Sequence, residues 1–234
     1  MFAIYKKELR GYFISPVGYV FMAVFLIASA MLLSFNNLSQ GTTELSGYFS
    51  LMIFLFVVLI PLLTMRLLSE ERKTKTEQIL LTAPVSLTGI LFAKFLSALT
   101  LFGGTLLISL LNLIPLYAMG TPNTAKVFSL TLGTLLIGAA FIAIGLFISA
   151  LTENQLSSAI VSIAAILAME VLGLISTSIT NDAIRTVVKW ISIFDRFNAF
   201  TNGMLDFSAL LYYFSIVIVF LFLSVRVYEK RRWE

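Results

Sequence analysis

Hydrophobic and polar positions fall along this chain in long blocks, not at a short period. Runs of about 20 residues free of charge apart from Glu170, the length that crosses roughly 30 Å of hydrocarbon, occur at 17–35, 47–65, 95–119, 127–151, 156–177 and 209–225. Backbone groups in lipid must be satisfied within their own segment, so each run is predicted to be a helix. None alternates apolar and polar residues as a membrane β-strand does. Short polar linkers separate the runs, among them Asn36 to Glu44, Gly120 to Asn123 and Leu151 to Gln155. The expected fold is an all-α membrane protein with six transmembrane helices, one domain over 1–234.

Two flanking segments have patterns of their own. In residues 1–15, Phe2, Tyr5, Leu9, Tyr12 and Phe13 recur at helical spacing while Lys6, Lys7, Glu8 and Arg10 fill the other face, which predicts an amphipathic helix lying in the membrane interface. Basic residues before an apolar run, with Ala28-Ser29-Ala30 after it, also resemble a secretory signal. The run continues through Met31, Leu32 and Leu33, so the segment is expected to be retained. In 69–87, Ser69 is placed to cap a helix whose first turn carries Glu70 and Glu71, suited to the positive end of the helix dipole. Ala83-Pro84 turns the chain out of helix. A short charged helix ending in the apolar patch Ile79, Leu80 and Leu81 is predicted, either docking on another protein or serving as a solvated linker.

Composition agrees with a lipid environment. Apolar residues are 59% and charged residues 12% of the chain, against roughly 45–50% and 25% in soluble domains. Charge sets the orientation. With both termini in the cytoplasm, the inner side holds Lys6, Lys7, Arg10, Arg66, Arg72, Lys73, Lys75, Lys94, Arg226, Lys230, Arg231 and Arg232. The outer side holds only Lys126, Arg185, Lys189 and Arg196. The positive-inside rule selects that topology, and a basic face beside apolar runs meets the membrane surface and not nucleic acid. The chain has no Cys and no His. That excludes disulfides, thiolate nucleophiles, Ser–His and H-E-x-x-H proteases and the commonest metal ligands. No metal site or catalytic residue is predicted.

Glu170 is the one clear charge inside a run. An ionisable residue at membrane depth is costly and marks a surface facing protein or water. It is the candidate for a translocation path, with a protonated Glu bonded to a neighbouring helix as the structural alternative. Gly133, Gly138, Gly145 and Ser149 are read as packing positions that let helices approach closely.

Several stretches together carry a resemblance: Tyr-Lys-Lys-Glu-Leu-Arg-Gly-Tyr-Phe-Ile-Ser-Pro (5–16), Glu-Glu-Arg…Thr-Glu-Gln-Ile-Leu-Leu-Thr-Ala-Pro (70–84), Lys94, Phe-Asn-Ala-Phe-Thr-Asn-Gly-Met-Leu-Asp (197–206) and Arg-Val-Tyr-Glu-Lys-Arg-Arg-Trp (226–233). In order and spacing on a six-run frame they resemble a short permease of the ABC-2 type exporter family, in its gliding-motility-like branch, over essentially the whole chain. One departure is Lys75-Thr76, where many relatives carry Gly-Thr. The resemblance implies a dimer with a second copy or a homologous permease, each half recruiting a cytoplasmic ABC ATPase. It implies coupling through the interfacial helix (Tyr5, Lys6, Lys7, Arg10) and through Glu70, Glu71, Arg72, Lys73, Thr76, Glu77, Ile79, Leu80 and Leu81. The segment 178–207 corresponds to an outer hairpin dipping into the membrane, and the apolar stripe Ile184, Val187, Val188, Ile191 and Phe194 agrees with it.

The chain has no G-x-x-x-x-G-K-[ST] phosphate loop, so ATP and Mg are expected in a partner ATPase and no cofactor in this chain. An extracytoplasmic accessory protein is a further partner such systems take. Two other classes compete. A secondary transporter requires broken helices, midplane charges and repeats, of which only Glu170 comes near. A non-transporting anchor that couples an ATPase to a partner protein has the same frame.

Overall fold

Ser15-Pro16 makes the first corner of the chain. A residue before proline is pushed to extended backbone, and Ser15, at φ −86° and ψ 153°, ends α1 (Phe2–Ile14). Pro16 opens α2 (Pro16–Leu33), its fixed φ suiting the first helical position. The corner is tight: a Cβ on Gly18 would lie 2.4 Å from the Tyr12 carbonyl oxygen. α1 is thus a separate helix, as its pattern predicted.

The computed structural model describes residues 1–76, 85–120, 122–176, 192–204 and 206–233. All regular structure among them is helical. A wide turn, Ser34–Leu38, extends α2, and the Asn37 amide folds the following linker by donating to the Thr42 and Glu44 carbonyls at 3.2 and 2.8 Å. Then come α3 (Ser46–Thr64), α4 (Ser69–Lys73) and α5 (Leu87–Ser109). Ser86 caps α5 by accepting from Gly89 N. A tight turn, Leu110–Leu113, leads to α6 (Ile114–Met119), where Pro115 occupies the first turn. Asn123 caps α7 (Thr124–Leu151) by accepting from Ala125 N and Lys126 N at 3.1 and 3.3 Å. α8 (Gln155–Ser176), α9 (Ile193–Thr201) and α10 (Phe207–Trp233) complete the order.

Among the described residues, Pro16–Leu38, Ser46–Lys73, Leu87–Met119, Thr124–Leu151 and Phe207–Arg232 are long and apolar enough to cross a membrane. The run predicted at 156–177 folds as α8, within which Gln155–Val171 is a shorter apolar helix. The third run differs in its start, Leu87 instead of 95. A charge-free count stops at Lys94, but lysine is a good helix former and its ammonium is paired with Glu8 and Glu71, so the helix runs through it. Of the outer segment, α9 with Phe194 is described, whereas Ile184, Val187, Val188 and Ile191 lie outside the described residues.

α7 is the centre of the bundle, touching α3, α5, α8, α9 and α10. Its glycines permit this, as predicted: a Cβ on Gly138 would sit 2.1 Å from the Phe102 ring, and one on Gly145 2.2 Å from Thr64 Oγ1. Next to this seam Phe25, Phe56 and Phe102 pack as an aromatic triad with centroids 5.1–6.0 Å apart. The linkers sort to two ends. Lys126 reaches Glu44 at 2.6 Å, and Ser129 donates to Phe200 O or Met204 O at 3.2 Å, at one end. Arg72 reaches Glu153 and the Leu151 carbonyl, and Arg231 the Ala150 carbonyl, at the other. Lys126 and Ser46 hold the Glu44 carboxyl below its usual 4.5.

Gly138→Leu should be among the most damaging core changes, because overpacking costs about 1–3 kcal/mol or more. A lowered unfolding temperature in detergent checks it. The Glu44 contribution is present above the ordinary carboxylate pKa and lost as pH falls through the lower folded value. Glu44→Gln should therefore flatten the acid side of the thermal-stability profile.

Candidate functional site

The end of the bundle that carries α4 holds the densest set of polar contacts. Glu70 and Glu71 stand in the first turn of α4, and Arg72 and Lys73 in its last, matching the helix dipole. Its capping differs from expectation. Leu68 occupies the cap position, and Ser69 Oγ donates back to the Met65 carbonyl. The Leu68 and Ser69 amides are accepted instead by Ser149 Oγ of α7, at 3.2 and 3.1 Å. One hydroxyl on the central helix therefore satisfies two orphan donors of another element. Ser149, predicted as a packing position, is a capping residue.

α4 is also shorter than predicted. Thr74 Oγ1 bonds the Glu70 carbonyl at 2.9 Å, and Lys75 follows at φ 59°, in the left-handed region that favours glycine and stops a helix. The helix expected to continue to the apolar patch ends at Lys73. Glu77, Ile79, Leu80 and Leu81 lie outside the described residues.

Beneath α4 sits Lys94, 1% exposed. Its ammonium donates to Glu71 Oε1 at 2.8 Å, to the Leu67 carbonyl at 2.8 Å and to Glu8 Oε1 at 3.1 Å. An ammonium has three N–H groups, and all three are used. Lys7 stands 3.6 and 4.0 Å from the same two carboxylates. This hub joins α1, the turn between α3 and α4, α4 itself and α5. Burying a charge costs several kcal/mol, which only close partners with full hydrogen bonding offset. Arg66 adds a bidentate pair with Glu70 at 2.7 and 2.9 Å, the strongest geometry for such a contact.

These contacts divide the predicted coupling residues. Glu70, Glu71 and Arg72 are engaged within the chain, Arg72 with Glu153 at 2.5 Å. Lys73 and Thr76 are exposed, with Thr76 Oγ1 2.9 Å from Thr74 Oγ1. On α1, Lys6, Lys7 and Arg10 are exposed, and Tyr5 bonds Thr100 of α5 at 3.0 Å. The exposed set is basic. The internal set carries the acids.

Glu170 lies in α8, six residues before its last residue, about 9 Å at the helical rise. It is 2% exposed, and its Oε1 has no hydrogen-bond partner among the described residues. Its electrostatic neighbours on α10 are Tyr212 and Tyr213. It is remote in sequence from the hub and shares none of its contacts.

Sequence reasoning missed the roles of Glu8, Lys94, Ser149 and Glu153. Lys94 counted as one of the inner-side charges and as part of the family resemblance, not as a buried ion-pairing residue. The one available signal was its place in an apolar stretch, with Phe95, Leu96 and Ala98 following.

The chain belongs to the ABC-2 transporter family: the model of the ABC-2 family transporter protein matches residues 2–233. It is a multi-pass membrane protein of the ABC transporter permease kind, and permeases of this family generally partner with ABC ATPases. No curated protein matches the chain.

Replacing Lys94 by Met leaves Glu8 and Glu71 without their shared cation. Loss of one partner of a buried pair costs about 3–5 kcal/mol, and a Lys94→Met/Glu71→Gln cycle should show strong non-additivity in thermal unfolding. Additive effects would separate the two groups. Lys75→Gly should raise stability by about 1 kcal/mol by relieving the left-handed backbone, read as a higher unfolding temperature.

Proposed function

We propose that this chain is the membrane subunit of an ATP-driven exporter in the cytoplasmic membrane. α8 serves as a sixth span, and the basic end with both termini faces the cytoplasm. Two permeases, copies or homologues, form the transport unit. Separate cytoplasmic ABC ATPases bind ATP and Mg, so the chain itself carries no catalytic residue. The observation that carries the reading is the hub under α4. The exposed cations Lys6, Arg10, Lys73 and Lys75 ring the outside of a rigid ion-paired base, so a push on α4 passes directly to α1 and α5.

Glu71, Glu70 and Arg72 hold that base, while Lys73, Thr76 and the segment with Glu77 and Ile79–Leu81 make the contact with the ATPase. Glu170, buried and with one oxygen lacking a partner among the described residues, lines the path in the outer half of the bundle. The family assignment supports the ATPase partnership, and the sorting of linkers to two ends supports the alternating topology.

Charge reversal at Lys73 and Lys75 should abolish co-purification of the chain's ABC ATPase partner while leaving the unfolding temperature nearly unchanged. Undiminished pull-down would refute the docking face. Glu170→Gln should assemble normally and change transport by reconstituted vesicles. Wild-type transport would make Glu170 a packing residue. If the complex hydrolyses ATP and alters a bound partner yet moves no solute, the anchor reading replaces the exporter.

A further inference from the structure

A cavity of about 210 Å³ opens beside the hub, lined by Glu8, Gly11, Tyr12 and Ser15 of the first corner and by Arg66 and Glu70. It is smaller than the roughly 300–1,000 Å³ of drug-sized sites. Three independent features of it call for an occupant.

The first is Tyr12. The residue is 8% exposed, and its hydroxyl is buried without a hydrogen-bond partner among the described residues. Glu8 and Arg66 are the charged groups around that hydroxyl, and burial holds it protonated, well above its ordinary 10.0. It is a donor lacking an acceptor, and leaving it so costs about 1–3 kcal/mol.

The second is Gly11. Glycine inside a helix costs about 1 kcal/mol relative to alanine. No close packing explains it here, since a Cβ at Gly11 would meet nothing within 4 Å. What the missing side chain leaves is the open volume of the cavity.

The third is charge. The charged groups of the lining are Arg66, Glu8 and Glu70. Arg66 pairs with Glu70, and Lys94 and Lys7 stand beside Glu8 from outside the lining, so each carboxylate of the cavity has a cation next to it and neither a bare anion nor a bare cation is favoured. A zwitterion suits this lining. Arg66 and the Tyr12 hydroxyl donate to a phosphate, and Glu8 and Glu70 accept from an ammonium.

We propose that this cavity binds the phosphoethanolamine head group of an inner-leaflet phospholipid. It sits where α1 turns into α2, the depth of the head groups if α1 is interfacial, and it rests on that part of the functional reading alone. A primary ammonium gives N–H donors to carboxylates; a choline head group has none to give. Phosphatidylglycerol brings the phosphate but no cation for Glu8 and Glu70. The bound lipid ties α1 to the Arg66–Glu70 pair from the membrane side, as Lys94 ties it from within.

The test is lipid retention by the purified full chain without an ATPase, so that failure of the ATPase docking face cannot affect it. The chain is exchanged into mixed micelles holding phosphatidylethanolamine, phosphatidylcholine and phosphatidylglycerol at equal mole fraction, and retained lipid is measured by native mass spectrometry. Phosphatidylethanolamine should be retained preferentially. Gly11→Leu, which fills the cavity, should lower its affinity about tenfold, equivalent to 1.4 kcal/mol. Tyr12→Phe, which removes only the donor and cannot obstruct folding by bulk, should lower it about threefold to tenfold. Equal retention of the three lipids, or phosphatidylethanolamine retention unchanged in both variants, would overturn the proposal. Binding of free phosphoethanolamine without selective retention of the lipid would overturn the lipid assignment.

Discussion

A single buried ammonium organises one end of this molecule. Lys94 reaches Glu8, Glu71 and the Leu67 carbonyl, and each contact ends on a different element. A lone charge at that depth is prohibitively costly, so the helices are fixed by the need to bring their acceptors to it. α1, which buries little beyond Tyr12, gains a defined position this way. α4, five residues long, is far below the length at which a helix stands alone in water. It exists because Ser149 caps it from α7 and Lys94 holds it from α5.

The same end shows how a membrane bundle is made responsive. Apolar packing around α7 is glycine-mediated and close. The polar linkers are joined by directional contacts instead: Arg66 with Glu70, Arg72 with Glu153, Lys94 with two acids. A force applied at α4 meets an ion-paired lattice and not a loose loop. In the function proposed here, that lattice is what would carry the force to α1 and α5. The exposed Lys6, Lys73 and Lys75 stand outside that lattice.

The helical runs were legible because hydrocarbon imposes one length and forbids exposed backbone. The runs at 47–65, 127–151 and 209–225 all reappear as helices, α3, α7 and α10. The Gly138 and Gly145 contacts were also readable, since small residues on a span mark close helix approach. The hub was not. Lys94 and Glu8 are separated by 86 positions, and no periodicity links them. Counting Lys94 only among the charges of one membrane face missed its environment, which is buried. α4 was overextended because its apolar end looked helical, while the stop at Lys75 depends on a backbone angle that a lysine does not advertise. Ser149 looked like a small packing residue for the same reason: its hydroxyl partners come from another helix.

The account depends most on Lys94 fastening α1 to α4. Spin labels on the exposed positions 6 and 73, in the otherwise cysteine-free chain, report the distance between those helices by pulsed electron resonance. The intact hub predicts one narrow distance distribution that broadens markedly in Lys94→Met while the helical content is kept. A distribution equally narrow in both proteins would contradict it.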